Sequence, residues 1–265
     1  MQIERLKLKK LRNTRDLGGF PTTDGKTIKY GKLIRSGRLY KLPDETVSEL
    51  KKLGVTTVID LRNDMERREM PNTEIDGIET INIPLVYTMA IGITHEKTYA
   101  KHAYAESKRI KKEFGNADNY MESVYETAIF DEKMQGNLRK IFEVLLEKDG
   151  CILWHCNGGK DRAGLVAMLV EGALGVDREL IIEDYVASRK FHYYKQRLQR
   201  FGIVVIPGPR HFKGLLRAFI EPKPQYILGV IEKIEQQYGS IQEYCKQALG
   251  LTDEQICILK EKYTE

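Results

Sequence analysis

The sequence predicts an α/β fold, with a central, mostly parallel sheet flanked by helices. Short apolar or β-branched runs, typical of buried strands, alternate with segments of helical periodicity. The runs lie at residues 55–60 (VTTVID), 79–83 (ETINI) and 151–154 (CILW). In open sheets of this kind, ligands bind at the carboxyl ends of the strands, where Asp60 and Cys156 both fall.

The elements around these strands follow from local signals. Residues 27–36 predict two short strands around Gly31. Residues 42–53 predict a helix with Asp44 as its N-cap and Gly54 as its end. A further helix is predicted just before the last strand, because apolar residues recur there at helical spacing. They are Leu138, Ile141, Phe142 and Leu145.

The carboxyl-terminal part, residues 176–265, is predicted to be helical. Ser240 and Thr252 each begin a capping box, the pattern that starts a helix. No repeat, low-complexity segment or flexible linker interrupts the chain, so we expect one domain over residues 1–265, with these helices packed on the sheet. One apolar stripe at helical spacing runs through this part: Ile227, Val230, Ile231 and Ile234.

The most informative stretch is residues 151–164, CILWHCNGGKDRAG. An apolar strand, a glycine-containing turn and a buried helix place Cys156 at the end of the strand and Arg162 in the first turn of the helix. Gly158 and Gly159 allow the backbone N–H groups of the loop between Cys156 and Arg162 to turn inward. Such a loop at a helix N-terminus binds anions and favours a thiolate, and the guanidinium adds a fork for two phosphate oxygens. These residue types indicate phosphoryl transfer to cysteine.

This loop resembles the His-Cys-x5-Arg signature of protein-tyrosine phosphatases, through His155, Cys156 and Arg162. The string at residues 159–162 (GKDR) is similar to the loop of the atypical bacterial tyrosine phosphatases, which are related to dual-specificity and phosphoinositide phosphatases. The resemblance implies a cysteine-phosphatase fold with a helical lid insertion. Similar motifs extend along nearly the whole chain, at residues 13–19 (NTRDLGG), 34–39 (IRSGRL), 59–62 (IDLR), 238–240 (YGS) and 250–252 (GLT).

The resemblance implies a cysteine-dependent phosphatase that hydrolyses phosphotyrosine, with dual specificity as an extension. Cys156 attacks phosphorus to form a cysteinyl-phosphate, which water then hydrolyses. The side chain of Arg162 and the loop amides hold the equatorial oxygens, where the transition-state charge lies. His155 is expected to orient the loop, and the chemistry requires no cofactor and no metal. The expected phosphate-binding residues are Asn157, Gly158, Gly159, Lys160, Asp161 and Arg162.

The leaving oxygen also needs a general acid. Many tyrosine phosphatases supply it from a Trp-Pro-Asp loop, but Trp154 is the single tryptophan and no Pro-Asp follows it. The resemblance favours Asp161, inside the loop, and Asp60 is the rival. Asp16 is expected instead to tether the amino-terminal segment through local hydrogen bonds.

Two features leave a second substrate class open, the inositol phosphates or phosphoinositides. Residues 95–114 are basic, and composition alone indicates a solvated surface helix. The resemblance favours a lid insertion over residues 87–130, which would attract anions and exclude water. Lys160 is either a solvated loop lysine or a second cation that faces a second phosphate.

Ala163 departs from the family pattern. The signature usually has Ser or Thr after the arginine, and its hydroxyl donates a hydrogen bond to the thiolate. Loss of a hydrogen bond to a charged group costs about 1.5–3 kcal/mol, which predicts slower breakdown of the phosphoenzyme. The departure opens a third hypothesis from another class, a phosphate-binding module without efficient turnover.

Composition narrows the class of protein. The chain has 265 residues, 42% of them hydrophobic, and a net charge of +5, which is too small to indicate nucleic-acid binding. No apolar run is long enough for a transmembrane helix, and the charged amino terminus lacks the core of a secretory signal. Four cysteines without paired spacing indicate reduced thiols and a cytoplasmic location, with signal-less export left open. Cys245 and Cys257 are expected in the core. The resemblance implies a phosphorylated protein or phosphoinositide as the partner, and the residues do not predict the oligomeric state.

Overall fold

The computed structural model describes residues 3–85, 99–191, 202–205 and 208–265, without the side chains of residues 99–103. Within these ranges five strands form one sheet in the order β1-β2-β5-β3-β4. β1 is antiparallel to β2, and the other neighbouring pairs are parallel. The strands are β1 (Arg15–Asp16), β2 (Leu33–Ser36), β3 (Val55–Asp60), β4 (Glu79–Asn82) and β5 (Cys151–His155).

The helices surround this sheet, which confirms the predicted α/β class. Those before β5 are α1 (Asp44–Lys52), α2 (Asp64–Glu69), α3 (Tyr99–Phe114), α4 (Ala117–Phe130) and α5 (Glu132–Glu147). Those after it are α6 (Asp161–Leu174), α7 (Arg178–Phe191), α8 (Arg210–Ile220), α9 (Pro224–Tyr238), α10 (Ile241–Gln247) and α11 (Asp253–Tyr263).

β5 and α6 occupy the centre of the molecule. β5 pairs with β2 on one side and β3 on the other, and all five of its residues are buried. In α6 every residue except Gly172 is buried. The indole N–H of Trp154 donates to the carbonyl of Ala163 at 3.1 Å, which joins the strand directly to the helix. The loop between Cys156 and Arg162 is therefore fixed at both ends in the core.

Two helices, α3 and α4, lie between β4 and α5, within the predicted insertion of residues 87–130. Residues 86–98, which the lid prediction includes, lie outside the described residues. α3 packs against α8, and α4 packs against α8 and α9. The carboxyl-terminal helices α10 and α11 pack on α6, and the apolar stripe of α9 is buried as predicted.

Some boundaries differ from the predictions. Pro43, not Asp44, is the N-cap of α1, because Pro43 has the extended backbone and Asp44 is already helical. Residues 27–36 contain one strand, β2, instead of two. The segment before it pairs with the end of the chain, through an isolated bridge between Ile28 and Thr264.

Two carboxyl-terminal predictions hold in part. Thr252 forms the full capping box with Gln255, whereas the Ser240 hydroxyl accepts from the backbone of Glu243 without a reciprocal bond. Cys245 is buried, but Cys257 is exposed, so its assignment to the core was wrong. Helical spacing alone did not distinguish the two sides of α11.

Candidate active site

The loop that follows β5 depends on glycine at one position. Cys156 comes directly after the strand and is 3% exposed. Gly159 has φ +66°, and a Cβ there would lie 2.6 Å from the carbonyl carbon and oxygen of Ser36. Only glycine fits both the backbone conformation and the space. At Gly158 the nearest atom to an added Cβ would be 4.0 Å away, in Lys160, so that position carries no such constraint.

Side chains behind the loop bind its carbonyl groups. The Asn13 amide donates to the carbonyls of Gly159 at 2.8 Å and Gly158 at 3.2 Å. Arg35 Nη2 donates to the carbonyls of Gly159 and Lys160, both at 3.1 Å. In a trans peptide the C=O and the following N–H point in opposite directions. These bonds therefore direct the N–H groups of Lys160 and Asp161 away from Arg35, toward the side where an anion can bind.

A fully buried charge cluster holds this support in place. The Asp184 carboxylate accepts from Arg15 Nε at 2.5 Å and from Arg35 Nη1. Burial acts to raise the pKa of Asp184, but the two guanidinium groups outweigh it and keep that pKa below its ordinary value. Burial, reinforced by Asp184, raises the pKa of the neighbouring Glu171 well above its usual range. Glu171 is accordingly the neutral member of the cluster.

Arg162 is fixed by a carboxylate from α2. Its Nη1 and Nη2 donate to the two oxygens of Glu66, each at 2.8 Å, and the Asn157 amide donates to the same carboxylate at 2.5 Å. Burial acts to lower the pKa of Arg162, but Glu66 outweighs it, and the result is a raised pKa. Glu66 is itself fixed by a capping box with Asn63, the N-cap of α2. The guanidinium is thus held charged at the end of the loop.

His155 is a neutral imidazole in one tautomer. The Asn72 amide nitrogen, which can only donate, lies 3.1 Å from Nε2, so Nε2 accepts and the proton is on Nδ1. Nδ1 lies 3.1 Å from the carbonyl oxygen of Cys156 and donates to it. Burial lowers the pKa of His155 to about 4, despite the opposing effect of Asp60. The ring therefore orients the start of the loop.

Asp60 lies at the end of β3 beside His155, and its carboxylate is surrounded by donors. Arg62 donates to both oxygens, at 2.9 and 2.8 Å, and Asn72 donates to Oδ2 at 3.0 Å. Burial acts to raise the pKa of Asp60, but His155 and Arg62 outweigh it, so the pKa is lowered. This carboxylate stays ionised, and its oxygens accept hydrogen bonds from Arg62 and Asn72.

Asp161 is the first residue of α6, and its side chain is 11% exposed. Its Oδ1 accepts from the hydroxyl of Tyr125, on α4, and lies 3.4 Å from Lys160 Nζ. Lys160 Nζ also donates to the carbonyl of Phe219, at the end of α8, at 2.8 Å. The loop lysine is therefore buried beneath α8, and a solvated position for Lys160 is excluded in this conformation.

Comparison with known proteins decides the family. Residues 6–265 match the model of the tyrosine phosphatase family. The chain belongs to that family. It is a protein-tyrosine phosphatase, a hydrolase of phosphoric monoesters, as the loop resemblance indicated.

The phosphatase has bacterial relatives along most of its length. It is 28% identical to the triple specificity protein phosphatase PtpB of Mycobacterium tuberculosis, over 89% of this chain and 91% of that protein. It is 25% identical to a putative tyrosine-protein phosphatase of Cupriavidus necator, over 89% of this chain and 81% of that protein. A crystal structure of P. aeruginosa TpbA in complex with phosphotyrosine is similar at 18% identity and a TM-score of 0.29, over 60% of this chain and 70% of that one.

Several residues around the phosphatase loop were not predicted from the sequence. Glu66 had a readable signal, because Asn63 and Glu66 have the spacing of a capping box after the strand at 55–60. Asn72, Tyr125 and Asp184 had no local signal at all. The structure brings Asp60, His155, Lys160 and Asp161 to the loop, and it places Asp16 elsewhere, as a tether that accepts from the N–H groups of Gly18 and Gly31.

Two negative findings concern the described ranges. Among those residues, no group of three or more His, Cys, Asp or Glu side chains could hold a metal ion. None of the helices described is both long enough and apolar enough to cross a membrane.

Proposed function

We propose that this phosphatase hydrolyses phosphotyrosine through a cysteinyl-phosphate on Cys156. The sulfur attacks phosphorus as the P–O bond to the tyrosine breaks, and Asp161 gives its proton to the leaving phenolic oxygen. Water then attacks the phosphocysteine, Asp161 takes a proton from that water, and the thiolate leaves with release of inorganic phosphate. Arg162 and the loop N–H groups hold the equatorial oxygens in both steps.

One observation carries this proposal, the two-point contact of Arg162 with Glu66. It holds a charged guanidinium at the end of a loop whose carbonyls are bound from behind by Asn13 and Arg35. A site that is organised before the substrate arrives does not have to reorganise as charge develops, which is the main source of electrostatic catalysis.

The environments of the two aspartates support Asp161 as the proton donor. A general acid must be protonated before the reaction and must reach the leaving group. Asp60 is ionised, completely buried and engaged by Arg62 and Asn72, which fits a structural anchor for His155. Asp161 lies within the loop itself and keeps some exposure.

Turnover of para-nitrophenyl phosphate and of a phosphotyrosine peptide, without added metal, tests the proposal. We expect Cys156→Ser to abolish both activities, and vanadate to inhibit the wild type. Cys151→Ser is the matched control, because Cys151 is also buried but lies at the start of β5, the strand that precedes Cys156, and outside the loop. Retained turnover in Cys156→Ser would contradict a cysteine nucleophile. Retained phosphopeptide binding with no turnover in the wild type would favour the binding module suggested by Ala163.

Phosphoinositides are a second candidate substrate class, supported by Lys160. Its ammonium lies inside the loop, beside Asp161, and the bond to a single carbonyl of α8 leaves it donors for a second phosphate. We expect Lys160→Ala to reduce activity on a phosphoinositide more than activity on a phosphotyrosine peptide. Lys140→Ala, on the exposed side of α5, is the control. An unchanged ratio of the two activities would remove this candidate.

A further inference from the structure

A tyrosine from the insertion reaches the catalytic loop. Tyr125 lies on α4 and is completely buried. Its hydroxyl donates to Oδ1 of Asp161, and it lies 2.8 Å from the hydroxyl of Tyr185, on α7. Three side chains from three helices thus form a short hydrogen-bonded chain that ends at the proposed proton donor.

The direction of this chain follows from the number of protons available. A phenol has one proton, so Tyr125, which donates to Asp161, must accept from Tyr185. Burial, reinforced by Asp161, raises the pKa of Tyr125 and that of Tyr185 well above the ordinary value, so both hydroxyls keep their protons. Each O–H therefore points toward Asp161.

The two oxygens of the Asp161 carboxyl are consequently different. Among the described residues, both of its side-chain contacts, with Tyr125 and with Lys160, fall on Oδ1. An oxygen that accepts from a phenol and lies beside an ammonium does not hold the transferable proton. In the protonated acid, the proton therefore belongs on Oδ2.

We propose that Tyr125 is a positioning residue for the proton donor: its hydroxyl fixes Oδ1 as an acceptor and so aims Oδ2 at the leaving oxygen. This inference rests on the proposed function, in which Asp161 is the general acid. In the first step the proton moves from Oδ2 to the phenolic oxygen as the P–O bond breaks, and the hydrogen bond from Tyr125 stabilises the carboxylate that remains. In the second step Oδ2 receives a proton from water, and Tyr125 is unchanged throughout.

The packing around Tyr125 makes the position of α4 part of the catalytic geometry. The ring of Tyr226, on α9, lies 5.6 Å from that of Tyr125, and its hydroxyl donates to Asp118, also on α4, at 2.5 Å. Lys223 adds an ion pair with Asp118 at 2.6 Å. α4 is therefore held at two points by α9, and the insertion is connected to the proton donor through one hydroxyl.

The dependence of kcat/KM on the leaving group tests the inference. Phenyl phosphate has a poor leaving group that needs a proton, whereas para-nitrophenyl phosphate has a good one that needs it much less. We expect Tyr125→Phe to lower kcat/KM for phenyl phosphate by ~10–100-fold, the effect of one hydrogen bond to a charged group. The value of kcat/KM for para-nitrophenyl phosphate should change far less. A purely structural defect would lower both to the same extent.

Two further variants separate the possible results. Tyr120→Phe serves as the control, because Tyr120 is buried on the same helix. It should leave kcat/KM for both substrates unchanged. Asp161→Asn should show the same leaving-group dependence as Tyr125→Phe, with a larger loss of roughly a hundredfold or more on phenyl phosphate. The double variant should lose no more than Asp161→Asn alone, because the hydroxyl acts through the carboxyl.

Each inference fails on a different result. If Tyr125→Phe lowers kcat/KM equally for both substrates, or does not lower it, the positioning role is overturned. If Asp161→Asn still shows the leaving-group dependence, the assignment of Asp161 as the general acid stands. An Asp161→Asn variant without leaving-group dependence overturns the acid assignment and the positioning role together. If Tyr125→Phe does not fold, Tyr185→Phe replaces it. We expect Tyr185→Phe to cause a smaller loss of kcat/KM with the same dependence on the leaving group. An equal loss on both substrates in Tyr185→Phe would overturn the positioning role.

Discussion

The guanidinium of Arg162 and the carboxylate of Glu66 meet at two N–O distances of 2.8 Å, and each side chain is 1% exposed. The contact joins residues that are 96 positions apart in the chain. It also links α2, which follows β3, to the helix that follows β5. The orientation of Arg162, the proposed phosphate-binding arginine, is therefore set by a neighbouring strand–helix unit of the same sheet.

Glu66→Gln is expected to impair catalysis more than folding. Glutamine keeps one acceptor for Arg162 but removes the charge and the second acceptor, so the guanidinium loses its fixed orientation. We expect kcat/KM for a phosphotyrosine peptide to fall by roughly 10–100-fold, the effect of one or two charge-assisted hydrogen bonds. Glu45→Gln, at an exposed position on α1, is the control for loss of a carboxylate. An unchanged kcat/KM in Glu66→Gln would show that Arg162 does not need this partner.

Gly159→Ala and Gly158→Ala form a matched pair of adjacent substitutions. A Cβ at Gly159 would lie 2.6 Å from backbone atoms of Ser36 and would impose a left-handed conformation on alanine, whereas at Gly158 the nearest atom is 4.0 Å away. We expect the first variant to lose most phosphatase activity and the second to lose far less. Activity with para-nitrophenyl phosphate and the midpoint of thermal unfolding measure the two effects. Equal behaviour of the variants would mean that the loop conformation is not held as described.

His155 predicts a loss of stability in acid. The unfolded chain takes up this proton near its ordinary pKa of 6.5, whereas the folded protein does so only near 4, because burial disfavours the imidazolium. The unfolded state binds more protons between these values, so stability falls as the pH falls through that window. We expect this one group to remove about 2 kcal/mol of unfolding free energy between about pH 7 and 5. Urea unfolding at both pH values measures it, and a His155→Gln variant with the same pH slope as the wild type would refute it.

Asp184→Asn is expected to destabilise the protein. The substitution leaves the buried guanidinium groups of Arg15 and Arg35 without their ionised partner. Removal of one member of a buried ion pair costs about 3–5 kcal/mol. Asp44→Asn, on the exposed face of α1, is the control and should change the unfolding free energy by less than about 0.5 kcal/mol. A loss below about 1 kcal/mol in Asp184→Asn would show that Glu171 ionises in its place.

The central strands and the loop were predictable because their signals are local. The apolar runs at 55–60 and 151–154 and the glycines before Arg162 need only neighbouring residues to be interpreted. The pattern of Asn63 and Glu66 is equally local, because these two residues have the spacing of a capping box.

The supporting contacts were not predictable from one sequence. Asp184 is 169 positions from Arg15, and Tyr125 is 36 positions from Asp161. Neither contact produces a periodicity or a motif in the sequence, because each forms only when separate segments of the chain pack together in the fold. For the same reason the sequence left both Asp60 and Asp161 as candidate proton donors, and the proposal of Asp161 rests on the surroundings of each carboxylate in the fold.

The most direct test of the cysteine mechanism is detection of the phosphoenzyme. Rapid quenching during turnover of a phosphotyrosine peptide, followed by mass spectrometry, measures phosphoryl transfer to the peptide that contains Cys156. We expect one phosphoryl group on Cys156, formed and lost at rates that match turnover, and none in Cys156→Ser. Full turnover without any phosphoryl group on Cys156 would contradict the mechanism.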